Sequence, residues 1–474
     1  MSGFLRQKQN IWTVVVALLG TMAFVATALL VLVNHFLAGL VLIVCGIAAY
    51  FVTVFFITED RNWLDIRAVF SGVWLVTIGL APFGLLEYQS RWQFSTWIFL
   101  GIAFLVYQIG SNLGISWGLK YYEKLSGKLK AFKIGRIGFE FKENRLFIIC
   151  VTATVIGLIC FLIGVCIKGY IPCFNPSTSA YVDFYTKFHV FSVAATGVSG
   201  LCYYCIRTQN LSLLKKIILY VCIFYLVFLF PILVVSRGTF ITAALSLVVA
   251  AFYLHGKKLV ALILSLVVVF GVYLFTTTLR NYTDAQLEAF FEPSEIVINP
   301  DGESDEDGVG TATFSLPPKV AFLYSYLTVS HDNFNQAVEN IENYTLGARQ
   351  IRPFNVIIRS EALTRADEDA PYYYVREHLN TVNLVGDAYY DFGIIGVIIT
   401  TLLMSFAFGI IQALYEKNKS PFALMTLGNA MVPVAMSFFA SWLSNFTQWM
   451  LWGVVFLVLI ISSVKILPKE EKVN

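Results

Sequence analysis

The sequence predicts an all-α polytopic membrane protein with about 12 transmembrane helices and a large, partly helical external loop between helices 9 and 10. The chain has 474 residues, of which 58% are apolar and only 13% are charged. Its mean hydropathy of +0.72 is far above what a domain with a polar, water-exposed surface tolerates. Apolar runs long enough to cross a bilayer recur along the chain.

Each span is set by length, because a bilayer core about 30 Å thick needs about 20 helical residues. The twelve predicted spans are residues 11 to 33, 36 to 57, 67 to 86, 96 to 118, 146 to 167, 188 to 205, 214 to 235, 238 to 254, 259 to 276, 391 to 414, 421 to 442 and 446 to 466. The apolar run from 217 to 254 would form one helix of about 57 Å, roughly twice the bilayer thickness. It must therefore fold into two spans, with a break predicted at Ser236-Arg237-Gly238.

Basic residues give the orientation. With both termini in the cytoplasm, the predicted inner segments hold 22 Lys and Arg, whereas the short outer connections hold four: Arg91, Lys168, Lys187 and Arg237. The positive-inside rule predicts this asymmetry for one orientation only. The net charge of +3 is spread over segment ends without interleaved aromatics, so nothing indicates nucleic acid binding.

The spans divide the chain into three parts. Residues 1–276 carry helices 1 to 9, residues 277–390 form the external loop, and residues 391–474 carry helices 10 to 12 and the cytoplasmic tail. Within the loop, 282–313 is rich in acids, Gly and Pro and is predicted to be disordered. The rest of the loop is expected to fold, beginning with an interfacial helix whose apolar residues recur at near-helical spacing: Val320, Leu323, Leu327 and Phe334.

Arg237 is the only formally charged residue from 217 to 254. It could snorkel to the interface from a tight hairpin, or it could face the bundle interior as an anion-binding guanidinium. In the second interpretation Gly238 would permit close backbone approach and Ser236 would add a hydroxyl donor. Farther along, Asp391 is predicted to cap the tenth span and order its first turn.

No metal site is predicted. Cys202-Tyr-Tyr-Cys205 has the spacing of a redox or zinc pair, but it lies in an apolar span without a second pair or a nearby histidine cluster. Buried cysteines in such a span usually act as small hydrophobic residues.

Four short motifs occur on the predicted outer side: SRGTF after an outward-going helix, KGYIPCFNPS (168 to 177), FLYSYLTVSHDNF (322 to 334) and NTVNLVGDAYYDFGIIG (380 to 396). Together they resemble the O-antigen or oligosaccharide repeat-unit polymerases of bacteria. Their order and membrane side agree with that family, and the resemblance spans roughly residues 140 to 460.

The resemblance implies a glycosyltransferase at the outer face of the bacterial inner membrane. Such an enzyme moves a growing glycan from its polyprenyl (undecaprenyl) pyrophosphate carrier onto an incoming lipid-linked repeat unit, without a cofactor, nucleotide sugar or required metal. The product would be a cell-envelope polysaccharide, such as lipopolysaccharide or capsule. The expected partners are lipid-linked oligosaccharides and the bilayer, and a polysaccharide chain-length regulator is a candidate partner.

The resemblance also implies site residues. Arginines in two outer loops would bind the pyrophosphate: Arg237 in the first, and Arg352, Arg359 and Arg376 as candidates in the second. Arg237 would also be catalytic, because negative charge develops on the leaving pyrophosphate. His378 is a candidate general base because related ligases carry a histidine before the corresponding helix, and Asp332 and Asp387 are the competing bases.

Two other functions stay open on the sequence alone. An O-antigen-type ligase would share the broad fold and pass glycan to a different acceptor. A lipid-linked oligosaccharide flippase or other transporter would concentrate ionisable groups near the midplane and often show repeated halves. Here most spans lack interior charge and the polar residues gather in the external loop, which favours the polymerase.

Overall fold

The fold is described from a computed structural model, which covers residues 3–58, 60–86, 88–131, 133–134, 137–139, 142–175, 183–184, 186–255, 263, 271, 296–297, 313–314, 317–376 and 379–466. The helices are α1 (Gly3–Leu30), α2 (His35–Val52, extended by a π-helical turn Thr53–Ile57), α3 (Ile66–Leu80), α4 (Phe94–Ala131), α5 (Leu146–Lys168), α6 (Lys187–Ala195), α7 (Ser199–Thr208), α8 (Leu213–Phe224), α9 (Phe230–Leu233), α10 (Arg237–Leu254), α11 (Pro318–Asn340), α12 (Ala348–Ile358), α13 (Glu361–Glu368), α14 (Gly386–Asn418), α15 (Pro421–Ala435) and α16 (Phe446–Ser463).

Strands are short. They are β1 (Lys133–Ile134), β2 (Ile137–Phe139), β3 (Ile296–Val297), β4 (Thr313–Phe314) and β5 (Val464–Ile466). They pair antiparallel in the orders β1-β2-β5 and β3-β4. Each strand has only two or three residues, so helices make up most of the described fold, as predicted.

Ten helical segments of the described chain are long and apolar enough to cross a membrane. They correspond to ten of the twelve predicted spans. The ninth, 259 to 276, lies almost wholly outside the described residues. The eleventh contains the 15-residue α15, about 22 Å long and short of a bilayer core by itself. The helical membrane class is confirmed, whereas the count of twelve stays a prediction, as does disorder in 282–313, which lies almost wholly outside the described residues.

The chain divides into two compact units. The first comprises Met1–Ile109, Tyr282–Leu403 and Ala435–Ser444, and the second comprises Gly110–Asn281, Met404–Val434 and Asn445–Asn474. In the first, α2 and α3 approach closely, because a Cβ placed on Gly79 would lie 2.8 Å from the carbonyl oxygen of Gly39. Helix α11 packs on α3, where the Tyr324 hydroxyl donates to the Leu80 carbonyl at 2.9 Å.

In the second unit, small residues again set helix contacts. A Cβ on Gly200 of α7 would lie 2.6 Å from the Ser246 carbonyl of α10, and the Ser199 hydroxyl donates to the Ala243 carbonyl at 2.9 Å. Helix α15 is joined to α16 by the Asn429 amide, which donates to the Leu451 carbonyl at 3.1 Å. The Ser199 hydroxyl and the Asn429 amide nitrogen thus find backbone partners inside the unit, where lipid offers none.

Candidate functional site

A buried polar segment of α11, Ser330-His331-Asp332-Asn333, organises the loop part of the first unit. All four side chains are at most 3% exposed. The Ser330 hydroxyl lies 2.7 Å from that of Thr381 and donates to the Phe439 carbonyl at 2.9 Å. The other three side chains bind different neighbours, so a single helical turn connects several separate stretches of chain.

His331 is held between two polar side chains. Its Nε2 lies 3.1 Å from the Thr77 hydroxyl, and its Nδ1 lies 3.1 Å from the Asn383 amide nitrogen. Burial lowers the pKa of His331 to about 3, so the ring stays neutral at physiological pH. His331 therefore connects α11, α3 and the chain before α14, a role that the sequence did not predict.

Asp332 was predicted as a possible base, and the structure encloses it. Its Oδ1 accepts from the Trp92 indole at 2.8 Å, and its Oδ2 accepts from the Gln89 amide at 3.2 Å. Burial raises the pKa of the Asp332 carboxyl from 3.8 to about 7, although both hydrogen bonds lower it. This carboxyl contacts the connection between α3 and α4.

The raised pKa of Asp332 predicts a pH-dependent stability. The unfolded carboxyl ionises near pH 3.8 and the folded one near pH 7, so the folded state binds more protons between these values. The contribution of Asp332 to the free energy of unfolding is therefore fully present below about pH 4 and is lost as the pH rises through about 7.

As the pH rises from about 4 to about 7, we expect the thermal midpoint of the wild type to fall, and that of Asp332→Asn to fall less. The exposed Asp369→Asn is a matched control and should follow the wild type. Identical pH profiles for the wild type and Asp332→Asn, measured on purified protein in detergent, would contradict the raised pKa.

Asn333 holds the chain on both sides of the predicted base His378. Its amide donates to the Leu379 carbonyl at 2.6 Å and to the Thr381 carbonyl at 2.7 Å, and its oxygen accepts from the Val375 amide at 2.8 Å. His378 itself lies outside the described residues, so its role stays a prediction.

Helix α12 carries the central arginines and is capped from a distant part of the chain. The carboxylate of Asp391 accepts from the backbone N–H of Arg349 at 3.1 Å and of Gln350 at 2.9 Å, and also from the Thr345 hydroxyl. The prediction that Asp391 caps its own span is wrong, because it lies inside α14, just before a break at Phe392 and Gly393. It anchors the first turn of α12 instead.

Arg349 is fully buried in an aromatic site. Its guanidinium carbon lies 3.4 Å from the ring centroid of Tyr372 and 3.9 Å from that of Tyr390. One terminal nitrogen donates to the Ala370 carbonyl, and Nε lies 3.8 Å from Asp367 Oδ1. Cation–π contacts of this kind strengthen when desolvated, so Arg349 fixes α12 against the following loop.

Arg352 lies one helical turn after Arg349. It belongs to a cluster formed by Arg349, Arg352, Asp367, Tyr372 and Asp387, and its side chain is partly exposed. Its side chain is 43% exposed, and its terminal nitrogens lie 3.6 Å from Asp387 Oδ2 and 3.7 Å from Asp367 Oδ2. Burial alone would lower the pKa of Arg352, but the neighbouring acidic groups raise it overall. The guanidinium is therefore charged, oriented and accessible.

Asp387 is the carboxylate that completes this cluster. It is 3% exposed, and its Oδ1 accepts from the Tyr372 hydroxyl at 2.9 Å. Burial and then the Asp387 charge raise the pKa of Tyr372 above its usual range, so the phenol keeps its proton and remains a donor. The backbone N–H of Asp387 donates to the Ser441 hydroxyl at 3.2 Å, which fixes the start of α14.

The other predicted arginines lie elsewhere. Arg359 is exposed at the end of α12 with a left-handed φ of 54°, and Arg376 is half-buried in the segment held by Asn333. The structure therefore brings Arg352 and the predicted base Asp387 together. Asp332 instead lies against the α3–α4 connection, where it accepts a hydrogen bond from Trp92.

Arg237 belongs to the second unit and begins α10. The chain leaves helix after Leu233 and enters α10 at Arg237, within a few residues of the predicted break. Ser236 is the N-cap and accepts from the Thr239 N–H at 3.2 Å. Arg237 is 2% exposed, and a Cβ on Gly238 would meet nothing within 4 Å, so close backbone approach to an anion at Gly238 stays a prediction.

Comparison with known proteins bears on this cluster. Residues 370–436 match the family model described as "Putative O-antigen polymerase". The match supports an O-antigen polymerase family assignment. It covers only part of the chain, and no curated protein and no solved structure matches.

The polymerase family match includes the carboxylate side of the cluster. Tyr372, Asp387 and Asp391 lie inside the matched residues, whereas Arg349 and Arg352 precede them. The three-residue spacing of Arg349 and Arg352 was the available sequence signal for a shared helix face. No group of three or more His, Cys, Asp or Glu side chains able to hold a metal occurs among the described residues.

Proposed function

We propose that this protein joins lipid-linked oligosaccharide repeat units by glycosyl transfer from a polyprenyl pyrophosphate carrier at the outer face of the bacterial inner membrane. The partial polymerase match and the apolar helices support a membrane-embedded polysaccharide polymerase. The observation that carries the finer proposal is the Arg352–Asp387 pair, whose charged atoms lie 3.6 Å apart.

Arg352 is suited to the leaving group. As the glycosidic bond to the carrier breaks, negative charge grows on the pyrophosphate oxygens, and a preoriented guanidinium stabilises that change. The contacts of Arg352 with Asp367 and Asp387 are longer than normal hydrogen bonds, so its N–H groups retain capacity for phosphate oxygens. Arg349 stays in its aromatic site and positions the helix.

Asp387 is suited to the acceptor. A base that removes the proton of the acceptor hydroxyl must be ionised and within hydrogen-bond reach of it. Asp387 is a candidate base in the described part of the chain, and it lies 3.6 Å from Arg352, a predicted pyrophosphate arginine. Tyr372 and Arg352 hold its oxygens in place, so we propose Asp387 as the base.

The test of the function uses the purified full chain. Lipid-linked repeat units, extracted from cells that lack this protein, are incubated with it in detergent without nucleotide sugar or added divalent metal. We expect a ladder of glycan lengths and release of polyprenyl pyrophosphate. Unchanged single repeat units would reject the polymerase. Transfer of one unit to a different acceptor, without a ladder, would indicate the ligase instead.

The outer-face placement is tested separately, because it rests on the charge asymmetry and the family resemblance. In a background without accessible native cysteines, a membrane-impermeant thiol reagent added to cells should label Ser304→Cys and not Ser126→Cys. The opposite pattern would overturn the orientation and move the proposed chemistry to the cytoplasmic side.

A further inference from the structure

A cavity of 280 Å³ opens in the first unit between the start of α2 and the connection from α3 to α4. Its volume is close to the lower limit for small-molecule sites, roughly 300 Å³, so it suits one sugar unit rather than a whole repeat. Six of its lining residues can recognise a ligand: His35, Gln89, Ser90, Arg91, Trp92 and Trp97. None of them belongs to the Arg352–Asp387 site.

Two indoles form part of the cavity wall. The ring centroids of Trp92 and Trp97 lie 4.6 Å apart with an interplanar angle of 33°. Trp97 is 1% exposed, and among the described residues its buried Nε1 has no hydrogen-bond partner. An unsatisfied buried N–H costs free energy, so a ligand oxygen that reaches this part of the wall would supply the missing acceptor.

The charge at the Arg91 edge of the cavity favours an anion. Arg91 is exposed at its edge, and no Asp or Glu occurs among the described lining residues. A guanidinium presents several N–H donors to phosphate or carboxylate oxygens. Gln89 and Ser90 add neutral polar groups beside it.

The cavity wall is also joined to the polar segment of α11. The same Trp92 and Gln89 side chains donate to Asp332, at 2.8 and 3.2 Å. That segment holds the chain from Val375 to Thr381 through Asn333. A ligand in the cavity would therefore rest on residues that hydrogen-bond the loop of the same unit.

We propose that this cavity is a second saccharide site, which binds one sugar carrying a negative charge, with the sugar against Trp92 and Trp97 and the anion at Arg91. The sugar part of this ligand class rests on the proposed polymerase function. The anion is either a phosphate at the anomeric carbon, as in a lipid-linked unit, or a carboxylate of an acidic sugar. The probes below separate these two sources.

The experiment is a ligand-observed NMR titration of the purified full chain in detergent with four probes: glucose 1-phosphate, glucuronate, glucose and inorganic phosphate. We expect at least one of the two anionic sugars to bind about tenfold more tightly than glucose or phosphate. Preference for glucose 1-phosphate indicates the lipid-linked source, and preference for glucuronate indicates an acidic sugar. Equal binding of all four probes, or no binding, overturns the proposal.

Variants locate the binding. Arg91→Gln should weaken the anionic sugar about tenfold, and Trp97→Phe, which removes Nε1 but keeps an aromatic ring, about threefold. Arg365→Gln and Trp117→Phe are matched controls outside the cavity and should bind as the wild type does. Arg91 is exposed, so its variant tests the site even where Trp97→Phe fails to fold.

Arg352→Gln separates this proposal from the polymerase proposal. It alters the proposed catalytic site and should leave binding at the cavity unchanged. If Arg352→Gln loses binding while Arg91→Gln binds fully, the saccharide binds at the Arg352–Asp387 site, and the proposal of a second site is wrong. If the protein makes no polymer but Arg91→Gln still weakens binding, the polymerase fails and the cavity proposal stands.

Discussion

Replacing Arg352 by glutamine is expected to slow polymerisation by about a hundred- to a thousandfold, the usual cost of losing one preoriented group that stabilises transition-state charge. Glutamine keeps much of the side-chain length but removes the charge and the planar fork. It also leaves Asp387 and Asp367 without their shared cation. The measurement is the initial rate of ladder formation by purified protein.

Two further variants show whether the loss comes from the missing charge and geometry of Arg352. Arg352→Lys keeps a positive charge near both carboxylates but loses bidentate geometry, so we expect about a tenfold loss. Arg365→Gln is the matched control, since Arg365 is exposed and its ion pair, with Glu361 at 3.6 Å, is of a kind worth little. A normal rate from Arg352→Gln would remove Arg352 from the leaving-group site.

The membrane part of the fold could be predicted from the sequence because its signal is local. Ten predicted spans follow from runs of apolar residues, and the break before α10 follows from one charged residue in a long apolar run. Helix length and bilayer thickness fix these features without knowledge of any tertiary contact.

The polar contacts could not be predicted in the same way, because their partners are distant in sequence. Asp391 caps a helix that begins more than 40 residues before it, whereas a local interpretation assigned it to its own span. Arg349 was one arginine among several until the structure placed Tyr372 and Tyr390 against it. The neutral state of His331 likewise depends on its complete burial.

In the candidate site, too, residue types could be predicted from the sequence, whereas contacts could not. Residue type and the family resemblance predicted arginines and a carboxylate for pyrophosphate chemistry, and they included Arg352 and Asp387. They could not choose among Arg352, Arg359 and Arg376, because all three occur in one loop and differ in contacts rather than in chemistry. Pairing distinguishes Arg352 from Arg359: Arg352 lies within 4 Å of two carboxylates, whereas no ion pair of Arg359 occurs among the described residues.

Replacing Arg237 by alanine is expected to reduce polymerisation by about a hundred- to a thousandfold with normal protein abundance in the membrane, because the family resemblance implies that Arg237 binds pyrophosphate. Arg237 begins α10, where backbone N–H groups and the helix dipole also favour an anion. Cells should then accumulate single repeat units on the carrier, because their synthesis and transfer across the membrane precede the blocked step.

Lysine at position 237 distinguishes binding from snorkelling. A snorkelling arginine is replaced well by lysine, which has the same charge on a flexible apolar stem. A guanidinium that binds phosphate in bidentate fashion is not, so we expect Arg237→Lys to be clearly impaired. Arg207→Ala, exposed in the same unit, is the control and should give a normal ladder. A normal glycan ladder from Arg237→Ala would leave Arg237 a structural residue of the second unit.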